Sequence, residues 1–358
     1  MLKRDYSVKI PKRDAAEALR ALLEEIPVIH DLDIELEPPG LGGRPDSVAR
    51  FSIGDRPHIL VGEVTSSGQP RHVRAALDQL GQQLDREYRG ATAVLIAPYL
   101  SQDARKLCRD GGFGFLDLEG NCRIVFDGVF IERTAPTKPS VARRDLKSLF
   151  KPKSAQVLRV LLRDPHRPWK VAELSDVAGV SLGHVSNVRT ALLNREWAVA
   201  GIDGLRLIAP DALLDQWRDR YEPPRGREQA YYTTLHGAAF DKAARAALRI
   251  QEGPKAILAS YSAARWIAPF ARMPTQFLYA NAEGMPRLQA ELRLEPAARG
   301  ENVVIQLVDD GLFEDAIEPA AGVFTTGAAQ TYLDLATSGE RGEEAADHLR
   351  RQALTWSA

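Results

Sequence analysis

The chain has 358 residues, 44% hydrophobic and 27% charged, with a formal net charge of −1, the balance of a globular protein of two or three domains. It contains no run of about 18 apolar residues that would span a membrane, and its opening MLKRDYSVKIPKRD lacks the apolar stretch of a secretory signal. Its two cysteines, Cys108 and Cys122, are too few for a disulfide scaffold or a zinc ribbon, so the expectation is a cytoplasmic protein with no membrane partner. The charge is unevenly placed: residues 1–140 carry a net −2, residues 141–210 a net +6 and residues 211–358 a net −5. A short basic block between two acidic ones is the footprint of a nucleic-acid contact, or else a solvated basic surface.

Along residues 1–140, helical spacing covers 14–25, strands are expected at 48–53 and 58–65 around Gly54-Asp55, and Pro70 opens a helix over 70–88. A buried strand at 92–97, a helix at 102–110 and strands at 113–118 and 122–132 follow. The Pro- and Thr-bearing stretch 132–145 reads as a linker, and 220–229, with Pro223-Pro224, as a second.

The middle segment is helical at 153–163, 171–178 and 182–196. Gly179 makes a turn, Ser181 serves as a cap, and two short strands follow around Asp203-Gly204. Three helices and a hairpin spell a winged helix-turn-helix. The last segment alternates strands at 256–261, 275–280 and 302–308 with helices at 236–249, 262–268, 286–292, 327–337 and 340–353. Three domains result: 1–140, 141–222 and 223–358.

A recognition helix needs short polar and basic side chains on its solvent face near its N-terminus. Ser181, His184, Ser186, Asn187 and Arg189 hold such positions, with Gly183 among them, while Val185, Val188, Leu192 and Leu193 face inward. Asn and Arg suit bidentate contacts with adenine and guanine edges. Arg206 on the wing and Lys147, Lys151, Lys153 and Arg167 on the approach suit phosphates. The alternative is a winged helix used for protein interaction.

In the first segment, Pro45-Asp46 precedes a strand, and Glu63 lies on the adjacent one. An Asp and a Glu on neighbouring strands can share one Mg²⁺, and a Lys two residues after the Glu falls on the same strand face, where it orients the attacking water. Here that position is Thr65, whose neutral hydroxyl cannot supply positive charge. The segment resembles the PD-(D/E)xK nuclease-like fold with one catalytic group missing. Asp46, Glu63 and Thr65 form the candidate degenerate site, with Asp46 and Glu63 as ligands of any Mg²⁺. Lys106, Arg71 or Arg74 are candidate substitutes for the lysine. The favoured expectation is a restriction-endonuclease-like domain kept for structure or DNA contact, with no resident cofactor and no enzyme activity. Gln79, Gln82, Gln83 and Tyr88 read as a solvent-facing stripe, Cys108 as a small buried residue, and His236 as a cap or packed residue.

The run from Ala329 to Arg350 contains Gln330, Thr331, Tyr332, Asp334 and Leu335, then Arg341, Gly342, Glu344, Ala345 and Ala346. It resembles the C-terminal signature of the AbiEi-type antitoxin family, transcriptional regulators of type IV toxin–antitoxin systems. The resemblance covers about residues 145–355. It implies a winged helix followed by a mixed α/β domain, binding of double-stranded DNA, repression of the protein's own operon, and a cognate toxin as partner. It marks Gln330, Tyr332, Asp334, Arg341 and Glu344 as motif residues. A homodimer or paired monomers on an inverted repeat would match that role. Read locally, Glu343 and Glu344 simply favour a helix N-terminus. The fold class expected is α/β multidomain: restriction-endonuclease-like α/β, winged helix, and a C-terminal mixed α/β domain. Two other functions remain open: an Mg²⁺-dependent nuclease targeted by the winged helix, and a module neutralising a partner toxin.

Overall fold

The computed structural model describes residues 10–39, 44–126, 128–135, 148–249, 255–270, 273–308 and 311–356. The chain divides into two compact units, Met1–Asp145 with Asn194–Glu196, and Leu146–Leu193 with Trp197–Ala358.

The first unit is a seven-stranded sheet in sequential order: β1 (Ile29–Leu36), β2 (Ser47–Ile53), β3 (Arg56–Val64), β4 (Thr92–Ala97), β5 (Gly114–Asp117), β6 (Cys122–Phe126) and β7 (Val129–Arg133). The β3–β4 and β4–β5 pairs are parallel and the remaining pairs antiparallel. Parallel neighbours need crossovers, and α2 (Pro70–Arg86) and α3 (Gln102–Asp110) provide them. Both faces are buried. On one, α1 (Lys12–Glu24) packs Leu19 and Leu23 against Leu60, Ile96 and Ile124. On the other, Val73 and Leu77 of α2 pack with Leu95 and Phe115. The expected strand 122–132 is a hairpin, turned at Gly128 in the left-handed region (φ +85°). Strand β1 escaped the sequence reading: acidic residues alternate with its half-buried Leu32 and Ile34, and a register shift at Asp31 (φ +55°) breaks its period.

The second unit begins with three helices, α4 (Pro152–Arg163), α5 (Val171–Val177) and α6 (Leu182–Asn194). An antiparallel hairpin of β8 (Ala198–Gly201) and β9 (Gly204–Leu207) follows. Trp169 pairs with Leu205 through two backbone hydrogen bonds, of 2.8 and 2.9 Å, and pins the hairpin to the helices. Next come α7 (Pro210–Arg218), which the sequence reading did not include, and a second seven-stranded sheet. That sheet uses β10 (Arg227–Tyr232), β11 (Ala256–Leu258), β12 (Gln276–Ala280), β13 (Glu295–Pro296), β14 (Val303–Leu307), β15 (Ile317–Ala320) and β16 (Val323–Thr325) in the order β13-β10-β14-β12-β11-β16-β15. Helices α8 (Ala238–Leu248) and α10 (Met285–Leu292) pack in one apolar cluster with the strands. Helices α9 (Ser260–Ile267), α11 (Ala328–Ala336) and α12 (Glu340–Ala353) join a different one.

That second cluster is continuous with the three-helix segment. Leu158, Leu174, Val185, Leu192 and Trp217 share it with Tyr332, Leu335 and Leu349. The stretch around Pro223-Pro224 therefore lies between two architectures that share one apolar cluster. Among the described residues, no helix is long and apolar enough to cross a membrane. Cys108 and Cys122 are free thiols buried in the first unit, and burial pushes the Cys108 thiol up to about 12.

Candidate functional site

The face presented by α6 is built by the turn before it. Gly179 takes a left-handed conformation (φ +63°), and the Ser175 hydroxyl donates to the Val180 carbonyl. Val185, Val188 and Leu192 bury one stripe of α6, which leaves Ser181, Gly183 and Asn187 exposed and Ser186 and Arg189 half-buried. The Ser181 hydroxyl accepts from the His184 amide at 3.4 Å.

His184 differs from expectation. Its Nε2 lies 3.1 Å from the Ser154 hydroxyl, which itself donates to the Ser148 carbonyl. The imidazole is thus half-buried against α4 and ties the two helices together. Arg206 on β9 and Lys153 on α4 are exposed. Arg167 is already engaged: it pairs with Glu173 and stacks 3.9 Å over the Trp169 ring. Lys147 lies outside the described residues.

In the first unit, β2 and β3 bring Asp46 opposite Glu63, because Ser47 pairs with Gly62. Asp46 Oδ2 accepts from the Val64 amide at 2.7 Å, and Oδ1 lies 2.6 Å from the Lys12 ammonium. Lys12 also pairs with Glu37. Glu63 Oε1 accepts from Gln79 Nε2 at 2.9 Å, while Oε2 is buried with no hydrogen-bond partner. Burial pushes the Glu63 carboxyl up to about 7; Asp46 adds to the shift and Lys12 opposes it.

Thr65 carries no charge, and its hydroxyl donates to the Ser67 carbonyl at 3.2 Å. Among the described residues, Lys12 of α1, at a position outside the motif, reaches the pair, while Arg74 is held by Glu196. Nothing in the local sequence connects positions 12 and 46; only the packing of α1 across the sheet does. Gln83, 6% exposed, departs from the solvent-stripe reading, while Gln79 is exposed and its amide also holds Glu63.

Two facing carboxylates, one with a buried oxygen lacking a donor, suit a hard divalent cation that takes its other oxygens from water and phosphate. Among the described residues, no group of three or more His, Cys, Asp or Glu side chains could hold a metal by itself.

The motif residues of α11 face inward. Gln330 Nε2 donates to the Tyr221 hydroxyl at 2.6 Å and to Asp334 Oδ1 at 2.9 Å, and its Oε1 accepts from Arg159 at 3.2 Å. Asp334 Oδ1 also accepts from the Tyr221 and Tyr279 hydroxyls. The Tyr332 hydroxyl accepts from Arg218 at 3.2 Å and from Arg350 at 3.4 Å. Arg341 and Glu344, in contrast, are exposed at the start of α12. Gln330, Tyr332 and Asp334 thus act as internal fastening between α11, α4 and α7. A cavity of about 780 Å³ lies elsewhere in this unit, lined by His236, Asp241, Arg265, Trp266 and Gln276 among others, and its Arg265 is held by Asp241.

Residues 206–355 match the family model described as transcriptional regulator, AbiEi antitoxin, type IV toxin–antitoxin system. The match begins within β9 and so excludes α4 to α6. No curated protein matches. Among solved structures, a repair endonuclease from Pyrococcus abyssi is similar at 20% identity and a TM-score of 0.23, over 32% of this chain and 49% of that one. EndoMS in its apo form is similar at 19% identity and 0.21, over 29% and 45%. An EndoMS–dsDNA2 complex is similar at 19% and 0.22, over 33% and 48%. This chain spans about half the length of these structures.

Proposed function

We propose that this protein is a sequence-specific DNA-binding transcriptional regulator, an antitoxin of the type IV kind that represses its own operon. The observation that carries this reading is the outward face of α6, where Ser181 and Asn187 are exposed and Arg189 is half-buried, with Lys153 of α4 and Arg206 of the hairpin exposed as well. As a winged helix, α4 to α6 with β8–β9 would set the N-terminal turns of α6 into the major groove. Asn187 and Arg189 would then read base edges, and Lys153 and Arg206 would hold phosphates. The net +6 of residues 141–210 supplies the sequence-independent attraction. The family match over 206–355 supports the regulator role and a toxin partner. Two copies on an inverted repeat would follow the usual geometry of such readers.

The test is binding of the purified protein to labelled duplex from its own promoter, titrated with salt. Salt-sensitive binding lost on scrambling the site supports the reading. Equal affinity for the promoter and a scrambled duplex opposes it.

A second reading is favoured by one observation, the partnerless buried oxygen of Glu63 beside Asp46. On this reading the first unit is a restriction-endonuclease-like domain, and Asp46 and Glu63 hold Mg²⁺, which supplies Lewis-acid polarisation of a phosphodiester. Cleavage of promoter DNA that requires Mg²⁺ and disappears in Glu63→Gln would establish it.

A further inference from the structure

The carboxyl end of β3 places one lysine where neither strand carries one. Helix α1 is anchored to the sheet by buried Ala15, Leu19, Leu22 and Leu23, so its first residue, Lys12, has a fixed origin. From there its ammonium reaches Asp46 Oδ1 at 2.6 Å, and its charge acts on Glu63. Glu63 is 8% exposed, its Oε1 is satisfied by Gln79, and its Oε2 has no partner. Two residues on, Thr65 spends its hydroxyl on the Ser67 carbonyl. The cluster therefore has two carboxylates, one acceptor oxygen lacking a donor, and one cation delivered from outside the sheet.

We propose that Lys12 supplies the positive charge of an Asp46–Glu63 divalent-cation site for a nucleic-acid phosphodiester, in the role that Thr65 cannot fill. The proposal rests on the second reading above. Magnesium-type cations are commonly held by one or two carboxylates and completed by substrate phosphate, which fits a centre with only two carboxylates. Asp46 Oδ1 pairs with Lys12 in this structure; a bound cation would take that oxygen and free the ammonium to act on a phosphate. In hydrolysis, the oxygen of a water forms the new bond to phosphorus and the bond to the leaving ester oxygen breaks. The proton of that water passes to the leaving oxygen. Lys12 offsets the negative charge that gathers on the phosphate.

The experiment compares the full-length protein with Glu63→Gln, Lys12→Met and the double variant Lys12→Met/Thr65→Lys. Mn²⁺ binding is followed by calorimetry, and Mg²⁺-dependent cleavage of labelled duplex DNA is followed in parallel. The wild type is expected to bind Mn²⁺, and Glu63→Gln to lose that binding. Lys12→Met is expected to bind Mn²⁺ at least as tightly as wild type, because no ammonium competes for Asp46, and to cleave about 10²-fold more slowly, the scale for one positioned charge-stabilising group. The double variant regains cleavage, a rescue that a purely structural Lys12 would not permit. If the wild type binds no Mn²⁺ or cuts no DNA, the second reading itself falls. If the wild type does both but Lys12→Met cuts at the wild-type rate, loses Mn²⁺, or is not rescued by Thr65→Lys, the Lys12 assignment alone is overturned.

Discussion

Arg159 of α4 donates from Nη1 to Gln330 Oε1 of α11 at 3.2 Å, beside the apolar core that the three-helix segment shares with helices α9, α11 and α12. Arg159 is 4% exposed and also faces Asp315, at 3.6 Å. Through Gln330 the contact continues to Tyr221 and Asp334. Gln330 thus ties α11 to α4, the helix that His184 of α6 bonds through Ser154.

Removing that guanidinium leaves buried acceptors without a donor. Arg159→Ala is expected to destabilise the second unit by about 3 kcal/mol, the lower end of the range for breaking a buried charge pair, because Arg163 still holds Asp315. Urea denaturation measures this, and a loss under about 1 kcal/mol would contradict the role given to Arg159.

Asp334 sets a pH dependence. Burial pushes its carboxyl up to about 6, against donors from Tyr221, Gln330 and Tyr279 and the nearby charge of Arg159. Because the folded value is raised, the folded state holds a proton that the unfolded chain releases near pH 4. The stability from that proton is complete below pH 4 and is lost as pH rises through 6. Asp334→Asn should remove this fall, which is at most of order 3 kcal/mol, from the stability curve between pH 4 and 6. An unchanged curve in the variant would contradict the assignment.

His184 is a further point of difference. Its bond to the Ser154 hydroxyl makes it a brace between α6 and α4. His184→Ala should cost about 1 kcal/mol of stability and leave the order of preference among DNA sequences unchanged. A changed preference would return His184 to the reading face.

The regular parts of this fold were legible in the sequence. Helical spacing located α4, α5 and α6, the apolar run TAVLIA gave β4 with its observed bounds, and the dipeptide Asp203-Gly204 gave the hairpin. Strand β1 was not legible, because its alternate positions are acidic and a register shift interrupts it. Lys12 was not legible either, since a lysine at the start of an amphipathic helix carries no local sign of a carboxylate partner at position 46. Likewise only packing shows the motif residues Gln330, Tyr332 and Asp334 turned inward while Arg341 and Glu344 remain outside.

Hairpin placement depends on Gly204, which sits at φ +131°, and a Cβ there would lie 2.4 Å from the Trp169 carbonyl oxygen. Gly204→Ala should therefore displace β9 from Trp169 and carry Arg206 with it. The expected outcome is weaker promoter binding with α6 intact, read by fluorescence anisotropy and circular dichroism together. Wild-type affinity in this variant would remove the hairpin from the interface.

The most direct measurement of the central claim is fluorescence anisotropy of the full-length protein on its own promoter duplex, with Asn187→Ala and Arg189→Ala alongside. The account predicts salt-sensitive binding, with each substitution costing about 1–3 kcal/mol on the promoter and much less on scrambled DNA. Unchanged promoter affinity in both variants would contradict the assignment of α6 as the reading helix.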